Sequence, residues 1–224
     1  MARKRKVLNF NSSDLWYFVG LLATDGCLSS DGRHIDITAK DKDFLTKLND
    51  RFVLSNKLSV KNKSKNNQAY CISFSNKNFY DFLVSIGLTP NKSLTLGEIK
   101  VPDEWFGYFL RGVIDGDGSI RSWLHPSNGI EQWSLRLYSA SNTFIEWLKN
   151  KIEDLLLVKG KIHKSSRVGR YLYVLKYGKI SAKIILRNCY SKNSLSLDRK
   201  ARLAESCCRS QVKWKKSKLL LGSH

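Results

Sequence analysis

Apolar and polar positions along the chain fall into runs of helical and strand period, and the order of those runs occurs twice. An apolar stretch opens after Asp14, which can cap a helix running to Asp25-Gly26. Asp31-Gly32 then marks a hairpin turn between strands at Cys27–Ser30 and Arg33–Thr38. The stretch DKDFLTKLNDRFVL puts Phe44, Leu45, Leu48 and Phe52 on one helical face. A second hairpin, Leu58–Lys65 and Gln68–Ser75, turns at Asn66-Asn67, and NFYDFLVSIGL closes the unit as a helix with Phe79, Phe82, Leu83 and Ile86 inward.

The second half keeps this order. Pro102, followed by Asp103 and Glu104, starts a helix that runs to Asp117-Gly118. Strands at Ser119–His125 and Gln132–Ser139 flank a loop holding Pro126, Ser127, Asn128 and Gly129. SNTFIEWLKNKIEDLLL repeats the earlier helix, with Phe144 one hundred residues after Phe44. Lys161–Ser165 and Arg170–Tyr177 form the last hairpin, Ile180–Arg187 the next helix, and a basic helix from about Leu197 has no counterpart. The fold class expected is α+β: two tandem αββαββα repeats with pseudo-twofold symmetry. The divisions expected are a basic arm at 1–13, a first repeat at 14–97, a linker at 98–102, a second repeat at 103–205 and a basic tail at 206–224.

Within that double pattern one segment is nearly copied. FVGLLATDG at residues 18–26 returns as LRGVIDGDG at 110–118, a spacing of 92 residues. Gly20 matches Gly112, Asp25 matches Asp117, and Gly26 matches Gly118. One Asp-Gly is an ordinary way to end a helix in a turn. Two, each closing the same apolar pattern at matching positions, point to a pair of carboxylates brought to one place. The bare glycines Gly20 and Gly112 let two helices cross closely, carrying those ends together. Paired carboxylates without a His or Cys cluster suit a hard cation such as Mg2+.

Charge changes the picture further. The 224 residues carry 39 Lys+Arg against 19 Asp+Glu, a formal charge of +20, which implies a polyanionic partner. Nucleic acid comes first. A membrane is the weaker candidate, because no apolar run approaches the roughly 20 residues that span a bilayer. Hydrophobic content of 42% excludes a disordered chain. The five cysteines show no zinc spacing, and MARKRKV lacks the apolar core of a secretory signal, so an intracellular, unsecreted protein with free thiols is expected.

The two copied segments resemble the signature motifs of LAGLIDADG homing endonucleases in their single-chain, two-repeat form. The second copy matches closely, and the first departs at Ala23 and Thr24. The resemblance covers roughly residues 14–205. It implies antiparallel sheets forming a DNA-binding saddle, a monomer, and site-specific cleavage of double-stranded DNA at a long site, leaving 3′ overhangs. It also implies Mg2+ held between Asp25 and Asp117, with backbone carbonyls at Gly26 and Gly118 completing the coordination. Basic residues beside the scissile phosphates are expected at Lys92 and Lys192, from NKSLTL at 91–96 and KNSLSL at 192–197, with Lys200 a substitute for the second.

Strand alternation selects the residues expected to meet DNA. Leu58 and Val60 face inward, leaving Lys61, Lys63 and Lys65 outward; Ile35 and Ile37 face inward, leaving His34, Asp36 and Thr38 outward, with Ser29 nearby. In the second half Arg121, Trp123 and His125 share one face, as do Ser134, Arg136 and Tyr138 opposite Leu135 and Leu137. Lys161, His163 and Arg170 extend the set. A solvated face would tolerate Lys and Glu equally, yet Asp36 is the one acid here. Two other readings stay open: a maturase acting on its own intron RNA, and a DNA-binding protein without catalysis.

Overall fold

In a computed structural model, residues 12–52, 54, 57–61, 68–167, 169–190 and 194–211 are described. The chain runs α1 (Ser13–Asp25), β1 (Gly26–Leu28), β2 (His34–Ala39), α2 (Lys42–Phe52), β3 (Ser59–Val60), β4 (Tyr70–Ser75) and α3 (Lys77–Ser85). It continues through α4 (Phe106–Asp117), β5 (Gly118–Leu124), β6 (Glu131–Ser139), α5 (Asn142–Leu156), β7 (Lys161–Arg167), β8 (Arg170–Gly178), α6 (Lys179–Cys189) and α7 (Asp198–Arg209). This is the αββαββα order twice, with α7 added. Each half builds one antiparallel four-stranded sheet, ordered β1-β2-β4-β3 and β5-β6-β8-β7. The identical order gives the molecule its pseudo-twofold character.

Helices α1 and α4 pack together at the centre. All nine residues from Leu15 to Ala23 are buried, since α1 meets both α4 and its own sheet. Around it, Phe18 stacks on Phe52 at 4.5 Å and on Phe79 at 6.0 Å. Phe44, Leu45, Leu48 and Phe52 of α2 are buried as their spacing predicts, as are Phe79, Leu83 and Ile86, while Phe82 is half-buried. In the second half Trp147 meets Phe106, Phe109 and Phe144.

Local chemistry moves several expected boundaries. Ser12, not Asp14, caps α1: its hydroxyl accepts from the Leu15 backbone N–H at 3.3 Å. Asp14 sits in the first turn and pairs with Arg51 of α2 instead. A 3-10 turn, Asp103–Trp105, precedes α4, so regular helix begins at Phe106. The described part of the expected strand Leu58–Lys65 is only β3. Val60 pairs with Tyr70 on the inward face but lies on the edge strand, where it stays 42% exposed rather than joining the core. Residues 1–11 of the expected N-terminal basic arm and residues 212–224 of the tail lie outside the described residues, while Ser12 and Ser13 belong to the start of α1. Among the described residues no helix is long and apolar enough to cross a membrane, and all five cysteines are free thiols.

Candidate active site and nucleic-acid face

The crossing of α1 and α4 is set by their glycines. A Cβ on Gly20 would collide with the Phe109 carbonyl and lie 3.0 Å from Gly112 Cα. One on Gly112 would strike the Tyr17 carbonyl and lie 2.9 Å from Gly20 Cα. Only hydrogen fits on either side, so the backbones touch and the helices end side by side. Gly116 matters in the same way, since a Cβ there would collide with Thr24 and sit 3.2 Å from Asp25 Oδ2. The motif ends are that close. Gly26 and Gly118 open β1 and β5 with ordinary negative φ of −87° and −84°. Their need for glycine is steric: a Cβ would press on the backbone of Leu22 or Ile114 as the chain turns from helix to strand.

Asp25 and Asp117 therefore project from two adjoining helix C-termini. That placement is electrostatically poor, because a helix C-terminus already carries partial negative charge. Burial, then repulsion from Asp117, pushes the Asp25 carboxyl up to about 6. Burial raises Asp117 as well. Two buried lysines oppose this. Lys92 donates to the Gly26 carbonyl, and its charge favours the ionised form of both aspartates. Lys200 donates to the carbonyls of Ile114 and Asp115, both at 2.6 Å, and of Gly116 at 3.0 Å. It too favours both carboxylates, while its own burial pushes it down to about 8. Lys200, expected as the substitute for Lys192, thus stands at the second motif; Lys192 itself lies outside the described residues.

Asp115, the acid two positions before Asp117, is buried in a closed network rather than aimed at the site. Tyr17 and Tyr190 hydroxyls donate to it at 2.8 and 2.6 Å, and the Leu197 backbone N–H at 2.7 Å. Sequence reasoning missed this group. Its signal was tyrosines at apolar positions facing an acid within an apolar run.

The outer strand faces are unequal. On the first sheet Cys27, Asp36 and Ser73 lie in register across three strands, next to Thr38, Cys71 and Ser59. Lys61 reaches over this face to donate to Thr38 Oγ1 at 3.2 Å. His34 is bonded to Asp31 in the hairpin turn, and the Ser29 carbonyl accepts from Tyr80 Oη at 2.6 Å. Lys63 and Lys65 lie outside the described residues. The second sheet is cationic: Arg121, Trp123, Arg136 and Tyr138 share a face with Lys176, Lys161 and His163. Arg170 opens β8, paired with Arg167. Ser134 shares that face by register but is only 1% exposed, because its short side chain sits between Arg121 and the longer Gln132 and Arg136. It is not a surface residue. His125 falls just beyond β5, where its ring accepts or donates to the Ser127 hydroxyl at 3.0 Å.

Among the described residues no cluster of three or more His, Cys, Asp or Glu forms. The two carboxylates are the acidic donors at the site, and they fit a hard divalent cation, whose charge would relieve the repulsion between them.

Residues 12–87 match the family model of the LAGLIDADG-like domain. No curated protein matches the chain. Solved structures match along most of it. Full-length DUF199/WhiA from Thermatoga maritima has a TM-score of 0.54 at 14% identity over 93% of this chain, which spans 65% of that protein. Meganuclease I-SmaMI, bound to uncleaveable DNA, gives 0.56 at 15% identity, covering 86% of this chain and 88% of that one. I-DmoI in complex with DNA and Ca gives 0.55 at 15% identity, covering 87% and 97%. The chain carries a LAGLIDADG-like domain over residues 12–87 and, across both halves, the two-repeat fold of single-chain LAGLIDADG homing endonucleases.

Proposed function

We propose that this chain is a site-specific endonuclease that hydrolyses both strands of a long double-stranded DNA site, leaving 3′ overhangs. The observation that carries the reading is the pair Asp25 and Asp117, set side by side at the costly ends of α1 and α4 with two buried lysines beside them. A protein that only bound DNA would gain nothing from placing two like charges near phosphates. Asp25 and Asp117, with carbonyls of the adjoining turns, would hold Mg2+; the Gly26 carbonyl would share its second lone pair, as Lys92 uses the first. When bound, that ion polarises the phosphate and acidifies the attacking water. Lys92 and Lys200 stabilise the negative charge that builds on the phosphate during attack. The second sheet supplies most of the described cationic surface that would hold the duplex.

The test begins with duplexes selected from a randomised pool by binding to the whole chain. These should be cut on both strands with Mg2+ and left intact in excess chelator. Asp25→Asn and Asp117→Asn should each lower double-strand cleavage by on the order of a thousandfold, the loss of several kcal/mol of charge stabilisation. Binding should persist, because each change removes negative charge next to DNA. Near-normal cleavage by either variant would refute the assignment.

A further inference from the structure

A cavity of about 360 Å³ opens beside Asp25. Thr38, Lys40 and Asp41, at and just after the end of β2, form one wall, and Asp115, Gly116, Leu197 and Arg199 the other. The two lining acids besides Asp25 are already engaged, Asp41 by the Phe44 N–H and Asp115 by its tyrosines and the Leu197 N–H. Thr38 belongs to the outer face of the first sheet, so the cavity opens toward the saddle. Lys40 and Arg199 are exposed, and neither has an ion-pair partner among the described residues. Both line the cavity onto which Asp25 also opens.

The matching positions of the other half follow from shared anchors. Asp41 and Ser141 each accept from the backbone N–H three residues on, Phe44 at 3.0 Å and Phe144 at 3.4 Å, so Lys40 corresponds to Ala140. Lys92 and Lys200 each reach carbonyls at a motif end, and the residue that precedes Lys92, as Arg199 precedes Lys200, is the uncharged Asn91. Both cations are missing there.

We propose that Lys40 and Arg199 together hold one backbone phosphate of the DNA beside Asp25, and that the strand on this side is cut before the other. This rests on the endonuclease reading above. Two unpaired cations, one a planar fork that can grip two phosphate oxygens, suit a singly charged diester. In the reaction water adds to phosphorus, one P–O ester bond breaks, and the departing oxygen takes a proton. Negative charge grows on the phosphoryl oxygens meanwhile, so two extra fixed cations speed this strand and not its partner.

The probe is a duplex selected from a randomised pool by binding, carried on a supercoiled plasmid or as an oligonucleotide labelled on either strand. With Mg2+ the nicked circle should accumulate before the linear form, with about ten nicks in one strand for each in the other. Arg199→Ala and Lys40→Ala should each slow that strand about threefold and their double variant about tenfold, erasing the strand bias, with the other strand left within about twofold. Equal strand rates in the parent protein, or equal slowing of both strands in the variants, would overturn the proposal. A duplex bound but cut on neither strand would count against the endonuclease reading instead. The phosphate site is then read by binding: one neutral methylphosphonate, moved along each strand, should weaken the parent at one position, and leave the double variant Lys40→Ala/Arg199→Ala unaffected there. Absence of such a position would overturn the proposal.

Discussion

In the first motif the second and sixth positions are Val19 and Ala23; in the second they are Arg111 and Asp115. All four are buried. The apolar pair joins the general core, while the charged pair is held by a dedicated set of partners. Arg111 donates to the Cys189 carbonyl at 3.0 Å and lies over the rings of Tyr17 at 4.8 Å and Tyr108 at 5.3 Å. Asp115 accepts from Tyr17, Tyr190 and the Leu197 backbone. Apart from Tyr108 of α4 itself, these partners come from α1, from the end of α6 and from the approach to α7. The first repeat has no added helix to hold, and its lysine, Lys92, arrives from the turns after α3. The second repeat takes its lysine from α7, and the buried polar group fixes the residue before that helix to the motif itself. Shape is what the motifs share; the charge is specific to the half that must anchor an extra element.

The largest expected effect tests that anchor. Asp115→Ala leaves two buried hydroxyls and a backbone N–H without their acceptor, and each such loss costs about 1–3 kcal/mol. The sum is not additive, and about 3–5 kcal/mol is expected, lowering Tm by roughly 10 °C. Asp115→Asn keeps an acceptor oxygen, and a tyrosine hydroxyl can rotate to receive its amide, so about 1–2 kcal/mol is expected. Ala23→Ser, at the same position of the first motif, breaks no such group and should cost less than Asp115→Ala. Thermal unfolding of the three variants checks the order, and equal losses would show that the two halves are not anchored differently.

Gly20→Ala and Gly112→Ala probe what the halves share. Each added methyl meets backbone across the crossing, which cannot move aside as a side chain could. A loss of about 3 kcal/mol is expected from either, equal to within about 1 kcal/mol. Chemical denaturation gives both values. A loss from one glycine and none from the other would mean that the crossing is not symmetric.

The repeat, its element order and the central helices were legible because each rests on local pattern: strict periods, Asp-Gly turns and glycines at matching positions. What stayed hidden depends on long-range packing. Lys200 was legible only as a substitute for Lys192, because it lies 85 residues from Asp115 and a lysine-rich tail does not set it apart until α7 folds onto β5 and α6. The role of Asp115 was equally hidden, since its tyrosine partners lie 98 and 75 residues away. Ser134 shows the limit of alternation: period two gives the face of a strand, and the height of the neighbouring side chains decides whether a residue on that face reaches the surface. Val60 makes the converse point, since inward direction on an edge strand does not ensure burial.

The smallest expected effect separates the two sheets as DNA surfaces. Arg136 lies mid-strand on β6, between Ser119 of β5 and Lys176 of β8. It is half-buried with its Nε enclosed, and register places it on the cationic outer face of the second sheet. That geometry suits bidentate contact with a base edge in the major groove. Lys61 stands at the end of the short edge strand β3, exposed, its long stem bridging to Thr38. A flexible point charge there would serve phosphate rather than sequence. Arg136→Ala should therefore cost about 1–3 kcal/mol in binding and relax preference at one or two base pairs, and Arg136→Lys should restore charge without restoring preference. Lys61→Ala should weaken all duplexes evenly and flatten the log–log salt dependence by about one unit. A binding profile over a randomised site, measured at several salt concentrations, reads both. If Arg136→Ala kept the parent's preference at every base pair and lost only salt dependence, the two sheets would hold DNA in the same way, and the contrast between them would be one of charge alone.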